Sequence, residues 1–136
     1  YGPYQYPEKL IPLFIMNSLL NRALPLYGDG LYIRDWVFVD DTVEALLLLL
    51  ERGTPGEIYN ISAQTRKRNI EVARKVLEVV GKGDELITFV EDRKVHDRGY
   101  FIDNRKIRAL GWEPKVSFDE GLKRTVEFYA SREDWW

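Results

Sequence analysis

The stretch Leu24-Pro25-Leu26-Tyr27-Gly28-Asp29-Gly30-Leu31-Tyr32-Ile33-Arg34-Asp35-Trp36-Val37-Phe38-Val39-Asp40-Asp41 decides the fold class. Pro25 biases Leu24 away from helix, so residues 24–27 are extended, and Gly28, Asp29 and Gly30 then turn the chain. Residues 31–39 are rich in β-branched and aromatic side chains and read as a strand. Asp40 or Asp41 can cap the next helix, whose apolar positions, Val43 and 45–50, run on until Gly53 and Pro55 stop it. A strand handing over to an amphipathic helix points to an α/β chain.

On the amino-terminal side, Leu10, Ile11, Leu13, Phe14, Ile15, Met16, Leu19 and Leu20 cover more than half of a helical wheel, so a helix opening after Pro7-Glu8 is expected to be buried on most sides. On the other side, residues 56–62, centred on Ile58-Tyr59-Asn60-Ile61, read as a second strand. A helix from about Asn69 to Val80 follows, stopped by Gly81 and Gly83, and residues 86–90 form a third strand. Asp103 is expected to cap a short helix through Leu110 with Gly111 at its end. Ser117 and Glu120 form a capping box opening the last helix, which carries Leu122, Val126, Phe128 and Tyr129. Three short strands make a poor doubly wound sheet on their own.

The chain has 136 residues, 45% of them hydrophobic and 31% charged, which fits one globular domain rather than two. Twenty Lys+Arg against 22 Asp+Glu leave a net charge of -2, so no global positive field exists to hold nucleic acid, and any anion must be held locally. With no cysteine and a single histidine, His96, neither a disulfide framework, thiolate chemistry nor a histidine metal site is expected. The longest apolar run, 45–50, falls far short of the ~20 residues of a membrane span, so a soluble, cytoplasmic chain is expected. The opening Tyr1-Gly2-Pro3-Tyr4-Gln5-Tyr6-Pro7 has no initiator Met, basic region or apolar signal core, and reads as the middle of a longer protein.

The common catalytic motifs are missing from this sequence. No Gly-x-Gly-x-x-Gly run exists, no Gly-x-Ser-x-Gly elbow, no phosphate loop, and no tyrosine is followed four residues later by lysine. Asp40-Asp41 could be proposed as a general acid/base pair, but adjacent residues at a helix start point apart, and a capping role is the better reading. What remains is a dispersed set of anion-binding candidates. Arg34, on a strand beside an aromatic residue, can fork onto a phosphate or pair with Asp35. Arg93, His96 and Arg98 gather in a turn-like run after a strand, a cluster of cations at a strand's end whose commoner reading is a solvated charged loop. Asn69, behind Arg66-Lys67-Arg68, can cap its helix or donate to a ligand, and Tyr27 can stack on a base or simply pack.

Several segments, in order, resemble the extended short-chain dehydrogenase/reductase enzymes acting on nucleotide sugars, and within them the dTDP-sugar 4,6-dehydratases. They are Tyr1-Gly2-Pro3-Tyr4-Gln5, Pro7-Glu8-Lys9-Leu10-Ile11-Pro12, Leu24-Pro25-Leu26-Tyr27-Gly28-Asp29-Gly30, Ile33-Arg34-Asp35-Trp36, Val39-Asp40-Asp41, Gly56-Glu57-Ile58-Tyr59-Asn60-Ile61, Asn69-Ile70-Glu71, Asp92-Arg93 with His96-Asp97-Arg98, and Leu110-Gly111-Trp112-Glu113-Pro114. The resemblance covers essentially the whole chain. Lys94-Val95 stands where the family has Pro-Gly, Gly99 replaces a usual arginine, and Ser62-Ala63 replaces a common Gly-Gly.

The resemblance implies an α/β fold, the carboxyl-terminal substrate-binding part of an extended short-chain dehydrogenase of Rossmann type, with short strands and about five helices. It implies an enzyme that oxidises a sugar at C4, eliminates water across C5 and C6, and returns the hydride to C6. The glycine-rich NAD loop, the dehydration residues and the Tyr-x-x-x-Lys pair belong to an amino-terminal domain absent from this chain, so residues 1–136 would bind a dTDP-sugar and carry no catalytic residue. Lys9 and Leu10 would border the sugar and diphosphate, Pro25 and Tyr27 line the base pocket, and Arg34 and Arg93 hold the diphosphate, with Asn69 and His96 completing the shell. NAD would be held mainly by the other half, with a homodimer when intact. The alternatives are a UDP-sugar 4-epimerase or decarboxylase fragment, or a non-catalytic scaffolding or dimerising module.

Overall fold

The computed structural model describes every residue except Arg93 and His96. Helix α1, Leu10–Leu19, buries Ile11, Phe14 and Ile15 completely, as its broad apolar wheel requires. Its one fully buried hydroxyl, on Ser18, donates to the Phe14 carbonyl at 2.6 Å and so is satisfied within the helix. Strand β1, Leu24–Tyr27, follows. Leu24 and Leu26 are buried in the core, while the period-2 alternation turns Pro25 and Tyr27 to the opposite face.

Strand β2, Ile33–Asp35, leads into helix α2, Val39–Arg52, and strand β3, Arg66–Arg68, leads into helix α3, Asn69–Val80. Strand β4, Ile87–Val90, follows a 3₁₀ turn at Asp84–Leu86. Helices α4, Arg105–Arg108, and α5, Phe118–Ser131, follow, and a 3₁₀ turn at Glu133–Trp135 ends the order. The strands form two separate ribbons. β1 and β4 pair in parallel with Leu24 opposite Ile87 and Tyr27 opposite Val90, and β2 and β3 pair antiparallel with Arg34 opposite Lys67. Helices α1, α3 and α5 pack on one another, and α1 and α3 also on β1, enclosing Ile11, Phe14, Leu26, Val76, Leu122 and Tyr129. A smaller cluster joins Ala45 of α2 to Ile107 and Trp112. No helix among the described residues is long and apolar enough to cross a membrane.

Five expectations need correction. The strand expected over 31–39 is only three residues long: its pairing runs out after the Trp36 N–H to Thr65 O bond at 3.1 Å, and the chain enters α2 at Val39. Asp40 and Asp41 do not cap α2, since Phe38 holds the N-cap position and both acids sit in the first turn, where the helix dipole favours them. Residues 56–62 form no strand and pair with no strand among the described residues. Asn69 is the first helical residue of α3 rather than its cap, and the N-cap Arg68 N–H is received by Glu71 Oε2 at 2.6 Å. Asn104, not Asp103, precedes α4, although Asp103 Oδ1 does accept from Arg105 N–H at 2.9 Å.

Other expectations agree with the structure. α3 ends at Gly81, whose φ of 77° is the left-handed conformation that lets the chain reverse there. Ser117 Oγ accepts from Glu120 N–H at 3.2 Å and opens α5. Asp41 does more than begin a helix. It is 2% exposed, and its carboxylate accepts from Lys115 N–H at 2.9 Å and Val116 N–H at 3.1 Å. Asp40 instead takes Arg124 at 2.6 Å on the surface, so the two acids face different partners and do not form an acid/base pair.

Candidate functional site

A cleft of about 620 Å³ lies where α1, β1, β2 and α3 meet, and Lys9, Leu10, Pro25, Tyr27, Arg34 and Asn69 all line it. These candidates are up to 60 positions apart in sequence, from Lys9 to Asn69, and reach the cleft through different elements. Lys9 and Leu10 come from the α1 amino terminus, and Pro25 and Tyr27 from the outward face of β1. Arg34 comes from β2, and Asn69 from the α3 amino terminus. Leu13, Phe14 and Leu26 supply apolar wall.

The electrostatics of this meeting point favour an anion. α1 begins at the cleft without a side-chain cap at Lys9, which leaves the positive end of its dipole there unneutralised by a side chain. Lys9 pairs with Glu8 at 2.9 Å, but both side chains are largely exposed and the pair contributes little. The Arg34 guanidinium is held in place by donation to the Ile33 carbonyl at 2.8 Å and by the Tyr100 ring, 5.1 Å from its centroid. Asp35, the other partner considered for Arg34, serves the 62–65 turn instead, accepting from Ser62 Oγ and from Thr65 N–H at 3.0 Å.

Two buried polar atoms at the cleft wall have no hydrogen-bond partner among the described residues: Asn69 Oδ1 and Trp36 Nε1. A buried orphan of this kind costs about 1–3 kcal/mol and is a common mark of a binding site. Trp36 joins the site from two positions after Arg34, with no charge to mark it in the sequence.

Arg93 and His96 lie outside the described residues, but their neighbours show how that segment is anchored. Arg98 forks onto Asp29 at 2.9 and 3.0 Å, stacks 4.8 Å from the Tyr32 ring centroid, and accepts Ile33 N–H on its carbonyl at 2.9 Å. The Tyr32 hydroxyl donates to Asp92. The Arg98 fork, helped by the Leu31 N–H, holds the Asp29 carboxyl below the usual carboxylate range. Arg98 is thereby latched to the turn between β1 and β2, and Asp92 to Tyr32.

The fold is that of the carboxyl-terminal part of extended short-chain dehydrogenases. A dTDP-glucose 4,6-dehydratase from Streptomyces venezuelae, solved with NAD bound, superposes with a TM-score of 0.96 at 47% identity, covering 100% of this chain and 42% of its own. The UDP-glucose 4-epimerase of Thermotoga maritima, solved with UDP-glucose, gives 0.91 at 36% identity, covering 98% of this chain and 44% of its own. The dTDP-glucose 4,6-dehydratase of Neisseria meningitidis serogroup B is 45% identical over 148 residues, which is 100% of this chain and 42% of that protein. The family model described as GDP-mannose 4,6 dehydratase matches residues 1–125, and the chain belongs to that family. It spans less than half the length of the relatives it matches.

Proposed function

We propose that this chain is the nucleotide-sugar-binding part of a dTDP-glucose 4,6-dehydratase, which converts dTDP-glucose to dTDP-4-keto-6-deoxyglucose and water. The observation that carries the reading is the convergence of Lys9, Leu10, Pro25, Tyr27, Arg34 and Asn69 on one cleft. The 45–47% identity to dTDP-glucose 4,6-dehydratases, against 36% to the Thermotoga epimerase, supports the dehydratase over the UDP-sugar alternative.

In this reading the Tyr27 ring packs against the base and Pro25 shapes the edge of its pocket. The Arg34 fork and the α1 amides neutralise the diphosphate. Asn69 hydrogen-bonds a phosphoryl or ribose oxygen through its amide, and Lys9 with Leu10 borders the sugar. Arg93 and His96 complete the shell from the latched segment. These groups hold the nucleotide and so fix where the hexose lies, which is how a remote binding half accelerates a reaction performed elsewhere.

NAD, bound in the Streptomyces relative, is the cofactor of the whole enzyme and supplies its hydride chemistry. The residues present here do not fit that dinucleotide by themselves. Gly28 and Gly30 form no open cradle, since a side-chain carbon at either would meet Asp92 or Leu26. No step is therefore assigned to NAD on this chain, and the chain alone turns over no substrate. Its partner is an amino-terminal half, received on the exposed apolar residues Val43, Leu46, Leu47 and Leu50 of α2 and on the unpaired segment around Ile58. The intact enzyme is a cytoplasmic homodimer. The test is reconstitution: the chain alone should leave dTDP-glucose with NAD unchanged, and adding the amino-terminal half of the Streptomyces relative in trans should restore product. Turnover by the chain alone would overturn the reading.

A further inference from the structure

Lys67 occupies a position that neither charge pattern nor motif marks. In the β2–β3 ladder it stands directly opposite Arg34. Directly opposed residues of an antiparallel pair project from the same face, as do residues two apart on one strand. The extended run of backbone bonds, Asn69 N–H to Tyr32 O at 2.9 Å and Trp36 N–H to Thr65 O at 3.1 Å, continues this alternation beyond the ladder. Lys67 therefore shares its face with Arg34, Trp36 and Asn69, each of which lines the cleft. Arg66 and Arg68 project from the opposite face, where Arg66 stacks 4.4 Å from the Phe101 ring centroid.

Placing two cations opposite each other on one face is destabilising without an anion to share. Lys67 is half-buried, and its recorded contact among the described residues is an aromatic ring, with Nζ 4.9 Å from the Phe118 ring centroid. None of the carboxylates in the described ion pairs is its partner. A ring is a weak partner for an ammonium and releases it readily when a full negative charge comes within reach of the flexible stem.

We infer that Lys67, which rests on Phe118 outside the cleft lining, reaches toward the cleft as a further diphosphate-positioning residue, placing a second cation beside Arg34 so that the site prefers a nucleoside diphosphate to a monophosphate. The inference rests on the nucleotide-sugar reading above and deepens it. Directly opposed, hydrogen-bonded ladder positions have Cα atoms about 5.5 Å apart, which suits two cations addressing neighbouring phosphoryl groups. Arg34 supplies a planar fork and Lys67 a mobile point charge.

Calorimetric titration of the chain with dTDP, dTMP and thymidine tests this in the parent, Lys67→Met and Lys67→Arg. Methionine keeps the unbranched stem on Phe118 and drops only the charge, so the fold is kept. Lys67→Met should weaken dTDP about tenfold, weaken dTMP less and leave thymidine unchanged, while Lys67→Arg should recover dTDP to within about threefold. Equal dTDP affinity in Lys67→Met and parent overturns the role of Lys67 alone. Equal weakening of all three ligands overturns it too, because it reports a structural effect. A parent chain that takes up no dTDP overturns the nucleotide-diphosphate reading itself.

Discussion

Asp41 and Trp112 are tied by a hydrogen bond from the indole Nε1 to the Asp41 carbonyl oxygen at 3.0 Å, while the Asp41 carboxylate receives two backbone N–H groups a few residues further on. One buried acid thus fixes α2 to the 112–116 segment and, through it, to the start of α5. Replacing it would leave the Lys115 and Val116 amides without their acceptor at a half-buried site. Asp41→Ala should lower unfolding free energy by about 3 kcal/mol, measured by urea denaturation. A loss below about 0.5 kcal/mol would place the Lys115 and Val116 amides in contact with solvent instead.

Gly30 closes the turn between β1 and β2 with φ 71°, and its carbonyl receives Ile70 N–H at 3.0 Å at the start of α3. A side-chain carbon there would run into Leu26 and lie 3.3 Å from Ile70 Cβ. Gly30→Ala should cost about 2 kcal/mol from backbone strain and overpacking together, read by thermal unfolding. Gly56, also at positive φ but with open space around it, should tolerate alanine better. The two variants compared in one experiment separate packing from conformational strain.

The Asp29–Arg98 latch is pH-dependent in a definite direction. The Asp29 carboxyl is held below its ordinary range in the folded state, first by the Arg98 side chain, so its stabilisation is complete above the unfolded value. It is lost as pH falls through the depressed folded value, so the latch should hold from about pH 5 upward and open in the acid range below about pH 4. Proton NMR of the Arg98 guanidinium, followed with the Tyr32 ring resonances, reads this opening. Asp29→Asn should abolish the pH dependence. A transition near neutral pH would contradict the assignment.

The α2 face that carries Leu47 and Leu50 is exposed, Leu50 at 84%. If its purpose is to receive another part of the enzyme, charge there should change association and not folding. Leu47→Lys combined with Leu50→Lys should alter unfolding free energy by less than about 1 kcal/mol. The same change should abolish capture of the amino-terminal half, read by analytical ultracentrifugation. Unimpaired capture would move the docking surface elsewhere.

Where local physics suffices, the sequence foretells the structure closely. α3 runs from Asn69 to Val80 because its apolar period and the Gly81 stop are both written into neighbouring residues. The shortness of β2 was not legible, because Trp36 and Phe38 belong to a strand-prone run that only the α2 start interrupts. Residues 56–62 carry genuine β propensity, but a strand needs a partner, and propensity does not name one. The cleft was legible as a set of residues and not as a shape, since the elements carrying Lys9, Tyr27, Arg34 and Asn69 meet only in three dimensions. Lys67 was hidden for a related reason. Inside Arg66-Lys67-Arg68 it looks like one more solvated charge, and only the register with Arg34 separates it from its neighbours.

The most direct test of the account is calorimetric titration of this chain with dTDP, with UDP as comparison and Arg34→Ala as control. The account predicts that dTDP binds more tightly than UDP and that Arg34→Ala weakens dTDP by about 1.5–3 kcal/mol, the contribution of a charged hydrogen bond. Absence of dTDP binding, or an Arg34→Ala variant that binds as tightly as the parent, would contradict it.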